Sequence, residues 1–130
     1  MKLLLDTHVW LWALSGGKLR KRARRALEDP ANELWLSPVS LWEATQLYAQ
    51  GRMRVDDTIE RWIEGALREI PCHEAFVTNE IAMDARSFAL PAGDTADRLL
   101  GATARVLGLT LMTADPNLLA CEDIPTARAA

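Results

Sequence analysis

Met1-Lys2-Leu3-Leu4-Leu5-Asp6 opens the chain. Three consecutive leucines leave no polar face, which is the pattern of a strand buried on both sides rather than one side. The run stops at a carboxylate. A second apolar run, Leu109-Thr110-Leu111-Met112-Thr113, stops almost the same way at Asp115, and Glu33 to Leu36 reads as a further strand between them.

Helical spacing fills the intervals. His8 to Leu14 turns into helix, and Leu19, Ala23, Ala26 and Leu27 recur at i, i+4, i+7 and i+8. Ser37-Pro38 supplies an N-cap followed by a first-turn proline, for a helix running toward Gly51. Ile59, Trp62, Ile63, Ala66 and Leu67 mark another helix, with Asp56 or Asp57 as its expected cap. Ile70-Pro71-Cys72 is expected to be a short edge strand, because proline cannot donate to a central ladder, and residues 74–88 are expected to be helical. From Asp94 the positions Ala96, Leu99, Leu100, Thr103 and Leu107 predict a helix that Gly108 ends before the strand at 109–113. Alternating apolar strands and helices predict an α/β fold with a central parallel sheet covered by helices on both faces. Ligands of such sheets bind beyond the carboxyl ends of the strands, where Asp6 and Asp115 lie.

The 130 residues, 49% of them apolar, fit a single domain spanning 1–130 with no room for a second. A net charge of −3 argues against a protein that coats nucleic acid generally. One basic surface stands out: Lys18, Arg20, Lys21, Arg22, Arg24 and Arg25 surround the apolar stripe of the second helix. It reads equally as a phosphate-guiding surface and as a solvated face. Cys72 and Cys121 form no C-x-x-C and are expected to be reduced thiols. Asp6 and His8 interrupt the apolar start, so an export segment is not expected; no run approaches a membrane span, and the expected location is the cytoplasm.

Taken singly, Asp6, Asp94 and Asp115 each read as helix caps, and Asp97 as a favourable first-turn charge. Glu43 resists that reading, because it shares a helical stripe with Val39 and Leu47 beside Leu41 and Trp42, with no basic residue within a turn. A carboxylate there requires a partner. Asp97 lies on one helical face with Gly101 and Ala104, small enough to admit a neighbouring element close to the carboxylate or simply to pack tightly. Four anions about 5 Å apart repel by roughly 3 kcal/mol per pair at an effective dielectric of 20. A Mg²⁺ or Mn²⁺ ion reverses that cost, and oxygen-only donors suit such hard ions. An ion held this way orients a phosphate and activates water. Thr7, Ser40 and Thr113 are candidates to orient the carboxylates, or to satisfy backbone groups at element ends. His8 is read as a hydrogen-bonded structural residue or one supporting the ligands. Trp10, Trp12, Trp35, Trp42 and Trp62 are read as core or subunit-contact residues.

Four motifs in order carry a family resemblance: Leu5-Asp6-Thr7-His8-Val9-Trp10, Ser37-x-x-Ser40-Leu41-Trp42-Glu43, Asp94-x-x-Asp97-Arg98-Leu99-Leu100-x-Ala102, and Leu111-Met112-Thr113-x-Asp115. With them the chain resembles PIN-domain ribonucleases, specifically VapC-like toxins of toxin–antitoxin pairs, over nearly its whole length. The resemblance implies a three-layer PIN-like domain and Mg²⁺- or Mn²⁺-dependent endoribonuclease activity through metal-activated water. It implies metal ligands at Asp6, Glu43, Asp97 and Asp115, with Asp94 assisting at the rim. It further implies tRNA or rRNA substrates, a homodimer, and a VapB-like antitoxin that inhibits by laying its tail across the acids. The chain departs from the family's His-x-Asp-Pro-Phe-Asp-Arg pattern, reading Ala92-Gly93-Asp94-Thr95-Ala96-Asp97-Arg98.

Two other classes compete. Phosphotransfer through an aspartyl phosphate needs Asp-x-Asp after the first strand, or an Asp ending the third; position 8 is His, and no Asp closely follows Ile70-Pro71-Cys72. A catalytically inactive PIN-fold binding subunit is the non-enzyme alternative, and the complete set of acids weighs against it.

Overall fold

The opening run forms the centre of the molecule. In the computed structural model, which describes residues 1–91 and 94–130, β1 (Lys2–Leu5) pairs in parallel with β2 (Glu33–Leu36) on one side and β4 (Thr110–Thr113) on the other. Ala92-Gly93, the first two positions of the stretch that departs from the family pattern, lie outside the described residues. Two short edge strands, β3 (His73–Glu74) and β5 (Thr126–Arg128), complete an all-parallel sheet of order β3-β2-β1-β4-β5. Leu3, Leu4 and Leu5 are each at most 1% exposed, so the missing alternation in the sequence reflects burial on both faces. Each leucine buried this way contributes about 1.5–3 kcal/mol over its exposed state.

Leu3 and Leu5 face one core, packed by Val9 and Trp10 of α1 (Thr7–Ser15), Ala23 of α2 (Lys21–Glu28), Ala44 of α3 (Pro38–Ala49) and Ala66 of α4 (Ile59–Glu69). Leu4 faces the other, packed by Ile81 of α5 (Asn79–Asp84), Leu100 and Ala104 of α6 (Thr95–Leu107), Leu118 of α7 (Pro116–Ala120), and Ile124. Helices therefore cover both faces, in three layers. α3 reaches both cores, through Val39 and Ala44, and closes the carboxyl end of the sheet. Among the described residues no helix is long and apolar enough to cross a membrane.

The caps of α3 and α6 follow sequence chemistry. Ser37 accepts from the Val39 amide, and Gly108 ends α6 at φ 67°, a conformation that suits glycine. α4, however, is capped by Thr58, whose Oγ1 accepts from Arg61 N, rather than by Asp56 or Asp57; Asp57 is spent on the Thr58 amide at 2.7 Å.

Two elements fall elsewhere than expected, and one was not foreseen. The edge strand is His73–Glu74 rather than residues 70–72, because Ile70 still closes α4 and Pro71 separates helix from ladder. The helix within 74–88 shrinks to Asn79–Asp84: Ala75 N bonds Leu36 O as the strand runs on, and Thr78 caps the helix late. β5 has no apolar run to announce it and exists because Leu111 and Ala129 bond across to the neighbouring strand. Both cysteines are free, and burial pushes the Cys72 thiol up to about 11.

Candidate active site

Beyond the carboxyl ends of β1 and β4 lies a cleft of about 250 Å³ whose walls include Asp6, Glu43, Asp94, Asp97 and Asp115, together with His8 and Trp12. Five acids from four separate chain segments thus border one space. Each is delivered by a different local device.

Asp6 ends β1 and is 7% exposed. Its backbone is extended at the N-cap position of α1, but its side chain makes no cap hydrogen bond. The Thr113 hydroxyl donates to its Oδ2 at 2.7 Å instead. Burial pushes the Asp6 carboxyl up from the ordinary range, while that hydroxyl and the Thr7 amide pull it back. Thr113 Oγ1 also accepts from the Asp115 amide at 3.0 Å, so one hydroxyl fixes the ends of both strand-derived acids.

Glu43 stands on α3, half-buried, and its partner is a hydroxyl rather than a cation. Thr7 Oγ1 lies within hydrogen-bonding distance of both the Glu43 carboxylate and Ser40 Oγ, the latter at 2.9 Å. A hydroxyl has one proton, so Thr7 donating to the carboxylate leaves its lone pairs for Ser40 to donate to. Burial raises the Glu43 carboxyl, and the fields of Asp94 and Asp6 add to that rise against the opposing hydrogen bond from Thr7. Trp42, expected beside Glu43 on the core-facing stripe, is 58% exposed; α3 turns it to solvent as it turns Glu43 to the cleft. Trp10 is buried with its ring edge-on to Trp62 at 5.8 Å, and Trp12 and Trp35 are half-buried.

Asp94 and Asp115 do cap helices as their sequence contexts predict. Asp94 Oδ1 accepts from Ala96 N at 2.9 Å and Asp97 N at 3.3 Å; Asp115 Oδ1 accepts from Asn117 N at 2.8 Å and Leu118 N at 3.4 Å. Capping and lining the cleft are compatible, since each cap uses a single oxygen. Asp97, one turn into α6, is raised to about 8 by burial first and then by the fields of Asp94, Asp6, Asp115 and Glu43. That all four other acids act on it is the electrostatic signature of their proximity.

Arg98 turns away from its neighbour Asp97. Its guanidinium donates to the carbonyls of Ala85 at 3.2 Å, Phe88 at 3.4 Å and Leu90 at 2.8 Å, pinning the segment that leads into Asp94. Gly101 admits core side chains rather than a neighbour of the Asp97 carboxylate: a Cβ there meets Ile124 Cδ1 at 2.7 Å and Phe88 Cζ at 3.1 Å. His8, expected to be a hydrogen-bonded support, is exposed and lines the cleft. Its position three residues beyond the end of β1 was the one available signal.

The donors are oxygen throughout and mutually repulsive, which fits a hard divalent cation. Among the described residues no three or more His, Cys, Asp or Glu side chains stand close enough together to hold a metal ion as placed. The acids line walls rather than form a cage. This also fits Mg²⁺ or Mn²⁺ better than zinc, because small hard ions keep several waters and need only one or two carboxylates in direct contact.

Comparison with known proteins agrees with the fold. A family model of the PIN domain matches residues 3–122. Ribonuclease VapC22 of Mycobacterium tuberculosis (strain ATCC 25618 / H37Rv) is 33% identical over 120 residues, covering 89% of this chain and 88% of its own. Among solved structures, VapBC2 from Rickettsia felis, bound to a DNA fragment from their promoter, contains a chain that aligns over 100% of both chains with a TM-score of 0.73 at 13% identity. DNA-bound VapBC from Salmonella typhimurium aligns over 98% of both chains with a TM-score of 0.69 at 14% identity.

Proposed function

The chain belongs to the PIN-domain family as a VapC-like member, and from that premise we propose that it is a divalent-metal-dependent endoribonuclease, the toxin of a toxin–antitoxin pair. The observation that carries the reading is the cleft in which Asp97 is held near a pKa of about 8 by burial and four other acids. Asp94 and Asp115 cap helices, but the mutual repulsion of five acids carries a cost that a bound cation removes.

In this reading Asp6, Glu43, Asp97 and Asp115 hold Mg²⁺ or Mn²⁺, and Asp94 shapes the rim while capping α6. A bound ion supplies Lewis acidity to a phosphodiester oxygen and to attacking water. The protein's own work is orientation. Thr7 aims Glu43, with Ser40 behind it, and Thr113 aims Asp6 and holds the Asp115 backbone. Hydroxyls suit this task because they fix a carboxylate without neutralising its charge.

The name of the curated relative supports RNA as the substrate, with tRNA or rRNA as the proposed targets. The VapBC identity of the structural neighbours supports a VapB-like antitoxin as partner. The proposed assembly is a homodimer of chains that each form one nuclease domain over 1–130, acting in the cytoplasm. The test is incubation of purified, partner-free protein with total RNA, with and without Mn²⁺, mapping new 5′ ends against a Glu43→Gln control. Mn²⁺-dependent ends absent from the control support the reading. Absence of both cleavage and Mn²⁺ binding in the unmodified chain returns it to a binding subunit.

A further inference from the structure

His8 borders three connected depressions: the acid cleft; a polar recess of about 290 Å³ that also contains Glu43, Asp94 and Arg52; and a groove of about 690 Å³ between α1 and α4 that also contains Trp12, Arg52 and Arg54. His8 is the residue common to all three; the cleft and the groove also share Trp12, and the cleft and the recess share Glu43 and Asp94. The His8 and Trp12 rings lie 6.0 Å apart, tilted by 31°, on successive turns of α1, and Trp12 also lines the acid cleft.

Charge changes sign along this path. A phosphodiester drawn into a cleft of five acids brings further phosphates on either side, and those need cations beyond the acidic zone. Arg52 and Arg54 meet that need. Among the described residues neither forms an ion pair, whereas Arg61 across the groove is matched by Asp57 at 3.6 Å. Unpaired guanidinium groups next to flat rings are the elements by which proteins hold single strands.

We propose that the depression from the acid cleft past His8 to Arg52 and Arg54 is a single-stranded RNA track, in which His8 and Trp12 stack a nucleobase beside the cleaved bond and Arg52 takes an adjacent phosphate. It rests on the ribonuclease reading. It assigns substrate contact to residues that the sequence alone placed in a supporting or packing role.

The test uses the full chain and a short fluorescein-labelled single-stranded RNA of mixed sequence. Kd comes from anisotropy in EDTA, and KM and kcat from cleavage with Mn²⁺. His8→Ala is expected to raise Kd in EDTA and KM roughly tenfold, the size expected for loss of one base stack. His8→Phe, which keeps a flat ring and loses the nitrogens, is expected to restore most of that affinity. Arg52→Gln is expected to flatten the plot of log K against log salt by about 0.7, the share of one phosphate contact on a single strand. Both positions are exposed, so melting temperatures should match the unmodified protein. Unmodified Kd and salt slope in His8→Ala and Arg52→Gln overturn the track. So does loss of antitoxin binding in these variants with RNA binding intact, which assigns the groove to a protein partner. Failure of the ribonuclease reading is separate: the unmodified chain then cleaves nothing, while anisotropy still reports on the track.

Discussion

Asp6 and Asp97 border the same cleft and burial raises both carboxyls, but their other surroundings differ. Asp6 is the more buried, yet it is met by the Thr113 hydroxyl and the Thr7 amide, both of which favour its charged form. Asp97 is less buried, but among the described residues only burial and like charges act on its carboxyl, all raising it, to about 8. Burial is the largest cause at both acids; what separates them is the hydrogen bonds that oppose it at Asp6 and the neighbouring anions that add to it at Asp97. On one wall of the cleft, donors oppose the rise that burial causes. On the other, neighbouring anions add to it, and a bound cation would favour the charged form.

The largest expected effect comes from removing the unassisted acid. Asp97→Asn should lower Mn²⁺-dependent RNA cleavage by at least about 100-fold, the upper end of what losing a mere supporting partner costs. It should also raise the melting temperature of the metal-free protein at alkaline pH, since the amide carries no charge to bury. Full cleavage by a contaminant-free Asp97→Asn preparation would falsify the assignment. On the assisted side, Thr113→Val removes the donor from Asp6 while keeping the shape, and a loss of roughly 10- to 100-fold in Mn²⁺ affinity or activity is expected. An unchanged Mn²⁺ titration would show that Asp6 needs no orienting hydroxyl.

The pH dependence sharpens the same contrast. Asp97 titrates from 3.8 in the unfolded chain to about 8 in the folded protein, so between those values the folded state retains a proton that the unfolded state has lost. Stability of the metal-free protein should then fall as pH rises from about 4 to 8, with Asp6 and Glu43 shifted in the same direction. Saturating Mn²⁺ should flatten the slope. Melting temperatures across that range, with and without the ion, check it; a metal-free protein that grows more stable toward pH 8 would contradict the shared cause.

Away from the cleft the effects are smaller and purely structural. Gly101→Ala should destabilise by about 1 kcal/mol, since crowding against Ile124 and Phe88 outweighs the gain in helix propensity. Ser37→Ala should cost about 1 kcal/mol through loss of the α3 cap. Chemical denaturation measures both, and equal cleavage activity per folded molecule separates them from the site substitutions.

Much of this was legible in residue order. The three leucines before Asp6 give a central strand because nothing in them can face water, and Ser37-Pro38 and Gly108 mark helix ends through their own backbone chemistry. The elements that moved are those without such local causes. β5 is held by backbone bonds to β4, and the helix within 74–88 is shortened because the strand before it continues to Ala75.

The sequence by itself determined which segments end in carboxylates, because the apolar-to-acid boundary is a local pattern that burial reads directly. Only the tertiary structure decided what each carboxylate experiences. Thr113 reaches Asp6 across 107 positions, Thr7 meets Glu43 across 36, His8 lines the cleft, and Trp12 lines it while packing against the core. Hydrogen bonds and Coulomb fields depend on distance in space, and sequence spacing fixes that distance only within a turn of helix or a step of strand.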